Sequence, residues 1–118
     1  MSVDPWVAIA IAVAAALFLL PRLIGARRVS SDVVKQKLSA GATVVDVRSP
    51  AEFQAGAYPG AVNIPIRELP ARMAEISKAK PVVLYCESGV RSGSAAALLA
   101  KAGYTDVVNA GGLRHMPA

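Results

Sequence analysis

The sequence predicts an α/β protein, a parallel sheet flanked by helices on both faces and preceded by one transmembrane helix. Three observations carry this. Short continuous apolar runs, "TVVDV" at 43–47 and "PVVLYC" at 81–86, suit strands covered on both sides, as parallel strands are. Helical patterns alternate with these runs, which is the order of strand–helix–strand units. The stretch 6–20 holds no charged or polar side chain and stands apart from everything after it. At 118 residues the chain is about one domain long.

Taken in order, residues 6–24 as a helix would span roughly 28 Å at about 1.5 Å per residue, close to the thickness of a bilayer core. Trp6 would sit at one interface, with Pro21 bending the last turn and Arg22 reaching the other. Asp4 precedes the run, and Arg22, Arg27 and Arg28 follow it. The positive-inside rule then expects a single-pass anchor in an inner or plasma membrane, N-terminus outside, domain in the cytoplasm. A cleaved signal would carry the opposite charge order. Ala8, Ala12 and Ala16 share one helical face in a small-xxx-small pattern, which in an Ala-rich helix suggests at most a weak homodimer through the anchor. The expected division is 1–28 for the anchor and basic juxtamembrane segment, and 29–118 for the folded domain.

Ser30 and Ser31 can cap a short helix that closes near Gly41. After the first strand, "SPAEF" supplies Ser49 as N-cap, Pro50 at the first helical position and Glu52 at the third, a capping box. "YPGAVNIP" reads as a turn, a very short strand at 61–63 and a stop at Pro65. "ELPARMAEISKAK" reads as a helix, and the second strand runs into Cys86. A helix of small residues follows to Gly103, then a strand at 106–110, Gly111 and Gly112, and a final turn.

Composition narrows the chemistry. Net charge is +5, but from residue 29 onward ten Lys or Arg face seven Asp or Glu, with no basic block and no interleaved aromatics, so nucleic acid is not an expected partner. One cysteine cannot form an internal disulfide and fits a reducing compartment. A lone Cys86 and a lone His115 do not assemble a ligand set, so no metal or organic cofactor is expected; His115 reads as an exposed tail residue.

In open parallel sheets ligands sit beyond the carboxyl ends of the strands, where Cys86 falls. The bend Cys86-Glu87-Ser88-Gly89-Val90-Arg91 can converge its N–H groups on the sulfur, and the helix starting near Ser92 adds its positive end. Arg91 adds a full charge at the rim, and Gly89 supplies the backbone freedom of a tight cradle. These features lower a thiol's pKa. A cysteine without them is more often a small buried hydrophobe.

Three stretches, "VVDVRSPAEFQAGAYPGAVNIP", "VVLYCESGVRS" and "GYTDVVNAGG", resemble in order and spacing the successive signatures of a single rhodanese homology domain over about 29–112. The family's D-x-R-x-x-x-E-F falls on Asp46, Arg48, Glu52 and Phe53, and its C-x-x-G-x-R loop on Cys86, Gly89 and Arg91. The resemblance implies a sulfurtransferase: the Cys86 thiolate takes a sulfane sulfur from a small donor such as thiosulfate or a persulfide, and passes it to a thiol acceptor. Glu87, Ser88, Gly89 and Val90 would cradle the persulfide, Arg91 would steer anionic donors, and Asp46, Arg48 and Glu52 would support the loop.

The chain departs from the pattern at Ala57, where relatives often carry histidine, and at "LRHMPA", where a longer helix is usual. Glu87 beside the nucleophile would oppose thiolate formation and repel thiosulfate, favouring a less anionic donor. Two other readings stay open: a non-catalytic membrane-tethered docking module, and a phosphatase or arsenate reductase. The latter's loop has five residues between Cys and Arg, against four here.

Overall fold

The computed structural model describes the backbone of residues 4–118 and the side chains of 4–17 and 27–118. The first helix, α1 (Pro5–Ala26), starts on Asp4, whose carboxylate accepts the Trp6 N–H at 2.9 Å, with Pro5 at the first helical position. Its described apolar side chains, from Trp6 to Leu17, are exposed. The transmembrane expectation is not met by the described residues: among them no helix is long and apolar enough to cross a membrane. Side chains 18–26 lie outside the described residues, and they include 18–24, the part that would complete the expected span 6–24. After α1 the chain joins the sheet at once, where Arg28 bridges Asn109 in parallel and the Val29 N–H donates to the Asn109 carbonyl at 2.8 Å.

Helix α2 (Ser31–Ser39) is capped by Ser30, whose hydroxyl accepts the Val33 N–H at 3.3 Å. Strand β1 (Thr43–Asp46) leads to α3 (Pro50–Ala55), where the capping box is complete: Ser49 Oγ accepts the Glu52 N–H and Glu52 Oε1 accepts the Ser49 N–H. Strand β2 (Val62–Asn63) is two residues long. Helix α4 (Leu69–Arg72) is a single turn between 3₁₀ turns at Ile66–Glu68 and Met73–Glu75. The long helix read from "ELPARMAEISKAK" is therefore broken. The Met73 carbonyl accepts the Ile76 N–H at 3.0 Å in the second 3₁₀ turn, the Met73 and Ile76 carbonyls both face the Tyr104 hydroxyl at 2.8 and 2.7 Å, and Ile76 turns extended into the core. Strand β3 (Val82–Cys86), α5 (Val90–Lys101), β4 (Val107–Gly112) and a 3₁₀ turn at Leu113–His115 complete the order.

The four strands are all parallel, in the order β2-β1-β3-β4. Helices cover both faces, and the period of two along β3 divides the core. Val82, Leu84 and Cys86 point to the face under α5 with Leu99 and Ile64, while Val83 and Tyr85 point to the face under α2 with Val34. Each fully buried aliphatic side chain contributes about 1.5–3 kcal/mol relative to exposure. One irregularity shapes the far edge. Leu84 pairs with Asn109 but Tyr85 pairs with Gly111, so Ala110 is an extra residue bulged from β4.

Candidate active site

The strand order reverses between β1 and β3, and Cys86 ends β3 at that point, where ligands bind in sheets of this kind. Among the described residues the buried polar side chains are Asp46, Arg48, Ser92 and Asn109. All four come from elements bordering this end, and none of the described buried side-chain polar atoms lacks a hydrogen-bond partner.

Cys86 is fully buried, and its Sγ lies in a cradle made by the start of α5. Gly89 caps that helix with φ +95°, a left-handed conformation that turns its N–H onto the sulfur at 3.0 Å. Ser92 Oγ lies 3.3 Å from the same sulfur. Burial pushes the thiol up, but the Ser92 hydroxyl and the N–H groups of Ser92, Gly89 and Ser88 outweigh it, so the thiol is held below its ordinary value.

Arg91, at the start of α5, is committed to a carboxylate. Its Nη1 and Nη2 donate to Glu52 Oε1 and Oε2 at 2.7 and 3.0 Å, clamping the first turn of α5 to α3. Arg91 first and the Ser49 N–H second hold the Glu52 carboxyl at about 2, far below its ordinary value. The charge expected to steer anions is thus paired with a carboxylate 39 residues away, and Glu52 first, with the Cys86 thiolate after it, holds the Arg91 guanidinium above its ordinary value. Glu87 is 66% exposed and its carboxylate lies 3.6 Å from Arg48 Nη1, so its charge is screened by solvent and shared with a cation. Ser88 and Val90 face solvent.

Below the loop, Asp46 and Arg48 form a buried bidentate pair, with Arg48 Nε 3.0 Å from both carboxylate oxygens and Nη2 2.7 Å from Oδ2. Arg48 Nη2 also donates to the Gly56 carbonyl at 2.6 Å, and its guanidinium lies 5.6 Å from the centre of the Tyr85 ring. The Tyr85 hydroxyl accepts the Tyr58 N–H at 2.9 Å. Asp46, Arg48 and Tyr85 therefore tie the segment 56–58 to β1 and β3. Removing one member of such a buried pair costs about 3–5 kcal/mol.

Beside the loop is a cleft of about 490 Å³ bordered by Ser49, Pro50, Pro65, Ile66, Arg67 and Arg91. Cys86 does not line it; the cleft meets the active loop at Arg91.

A protein-family model for the rhodanese-like domain matches residues 30–114. The chain belongs to the rhodanese-like family. Its similarity extends to a protein named sulfurtransferase from Allochromatium vinosum, 42% identical over 83 residues, covering 69% of this chain and 78% of that one. A thiosulfate sulfurtransferase of Escherichia coli, PspE, is 43% identical over 72 residues, covering 59% and 69% of the two chains. Among solved structures, a human single-domain sulfurtransferase superposes with a TM-score of 0.62 at 33% identity, over 75% of this chain and 92% of that one.

For a rhodanese-like chain the reading of the loop missed two residues. Ser92 is a hydroxyl on the buried face of α5 among Gly93, Ala95 and Ala96, and that polar intrusion was its only local signal. Asn109 is a poor strand former in a buried strand, a signal of the same kind. His115 is also not a bare tail residue: its Nδ1 accepts the Gly112 N–H at 2.8 Å and closes the final turn. Among the described residues no cluster of His, Cys, Asp or Glu could hold a metal ion.

Proposed function

We propose that this chain is a sulfurtransferase that carries sulfane sulfur on Cys86. The observation behind the reading is the cradle itself, a buried thiol held below its ordinary pKa by the Ser92 hydroxyl and convergent N–H groups at a helix start. The names of the relatives point the same way. The Cys86 thiolate attacks the outer sulfur of thiosulfate; a sulfur–sulfur bond forms to Cys86, the donor's own breaks, and sulfite leaves with the electron pair. An acceptor thiolate then attacks the outer sulfur of the persulfide and releases the Cys86 thiolate. The loop N–H groups stabilise the sulfur anion in both displacements. The donor reaches the loop from the cleft beside Arg91, where Arg67 has no ion-pair partner among the described residues.

Mass spectrometry of intact protein after thiosulfate treatment tests this. The wild type should gain one sulfur, lost again on adding a small thiol, and Cys86→Ser should gain none. A wild type that gains no sulfur from thiosulfate or from a low-molecular-weight persulfide overturns the reading and favours a docking module.

On the charge order around the apolar stretch we also propose an N-out anchor with the domain in the cytoplasm. Labelling of an Ala118→Cys variant by an impermeant reagent from outside intact cells would refute it; labelling only after lysis is expected.

A further inference from the structure

We propose that Asn109 is a positioning residue that sets the acidity of Cys86 through the single proton of the Ser92 hydroxyl. The Asn109 amide is oriented by its neighbours: the Gly111 N–H donates to Oδ1 at 2.9 Å, and Nδ2 donates to the Gly89 carbonyl at 3.0 Å. Oδ1 therefore faces Ser92 Oγ as an acceptor, at 2.7 Å, and the hydroxyl must donate to it. The same Oγ lies 3.3 Å from Cys86 Sγ. One hydroxyl carries one proton and cannot serve both acceptors.

The two states of the sulfur use this arrangement differently. With Cys86 protonated, the bonds run in series, S–H to Ser92 Oγ and Ser92 O–H to Asn109 Oδ1. When the thiol gives its proton to solvent, the sulfur becomes an acceptor, and the Ser92 proton turns from Oδ1 to Sγ. Only the S–H bond is broken. Asn109 Oδ1 keeps the Gly111 N–H, so no buried acceptor is left unpaired. Asn109 thus competes with the thiolate for the hydroxyl proton and favours the thiol, offsetting part of what the loop N–H groups do.

The bulge makes this possible. In a regular ladder residue 110 would oppose Tyr85. With Ala110 extruded and Gly111 at φ +93°, the Gly111 N–H folds back onto the Asn109 side chain.

The inference takes Cys86 as the reacting thiol, as proposed above, but it is read from titration of that thiol. Its failure leaves sulfur transfer standing, and absence of sulfur transfer leaves it standing. The rate of alkylation by iodoacetamide against pH gives the thiol pKa for the wild type, Asn109→Leu, Ser92→Ala and the double variant. Asn109→Leu should lower it by about 0.5–1 unit, the worth of one hydrogen bond. Ser92→Ala should raise it, and adding Asn109→Leu to Ser92→Ala should change nothing further. A rise in Asn109→Leu, or an equal fall in both backgrounds, overturns the proposal and leaves the amide a purely structural brace. Should Asn109→Leu not fold, the infrared S–H stretch of the wild type decides. A band at the lowered frequency of a donating thiol is expected; the frequency of a free thiol overturns the proposal.

Discussion

Arg91 sets both terminal nitrogens of its guanidinium on the two carboxylate oxygens of Glu52, at 2.7 and 3.0 Å, and so fastens the active loop to α3. A guanidinium held this way acts by position more than by free charge. Arg91→Ala and Glu52→Gln should therefore lower the rate with thiosulfate and with an uncharged donor alike, by about 10- to 100-fold, the scale of a small displacement of a reacting group. Steady-state rates with the two donors check this. A loss confined to thiosulfate would restore the anion-steering role read from the sequence.

The same pair carries a pH dependence. The Glu52 carboxyl lies at about 2 in the fold against an ordinary 4.5, so the unfolded chain binds the proton first as pH falls. Its contribution to stability is complete above about 4.5 and disappears as pH drops toward 2. Urea midpoints of wild type and Glu52→Gln should differ at pH 7, draw together below about pH 4.5 and converge only as pH approaches 2.

Glu87 meets Arg48 from an exposed position. Glu87→Gln should then move the Cys86 pKa by no more than about 0.5 unit, as expected of an exposed charge in screening solvent. Alkylation against pH measures it. A clear fall in pKa with faster thiosulfate turnover would reinstate the opposition expected from sequence.

Of the arginines bordering the cleft, Arg67 is not committed to a carboxylate among the described residues. Arg67→Ala should raise KM for thiosulfate by about 3- to 10-fold and leave kcat within about twofold, since long-range attraction acts on encounter. High salt should erase the difference.

At Gly112 a methyl group would meet the Glu87 carbonyl oxygen, a backbone atom next to Cys86. The glycine's φ of −90° is open to alanine, so the effect of Gly112→Ala is steric. It should destabilise by about 1–3 kcal/mol as an overpacked contact does, and lower turnover further by shifting the Glu87 peptide. Thermal unfolding and turnover, measured together, separate the two effects.

What the sequence disclosed was whatever chemistry is local. The capping box of α3 needs only Ser49, Pro50 and Glu52, and it forms as read. The Asp46 and Arg48 pair is two residues apart, and β3 is a bare apolar run, so both were legible. Contacts across the chain were not. Arg91 finds Glu52 at a separation of 39, Ser92 finds Asn109 at 17, and neither distance leaves a trace in composition. The bulge at Ala110 is a matter of register, which no single strand encodes. The break around α4 coincides with a tertiary contact, the Tyr104 hydroxyl on the Met73 and Ile76 carbonyls 31 and 28 residues away.

The attachment at Arg28 and Val29 has a mechanical consequence. The N-terminal segment is fastened to the sheet at the backbone of Asn109, the residue whose side chain touches Ser92, Gly89 and Gly111. A load on α1, whether from a surface it rests on or a body it binds, reaches the domain through its packing on α5 and β4 and through that peptide, which is two hydrogen bonds from the sulfur. The leash and the trigger share one residue.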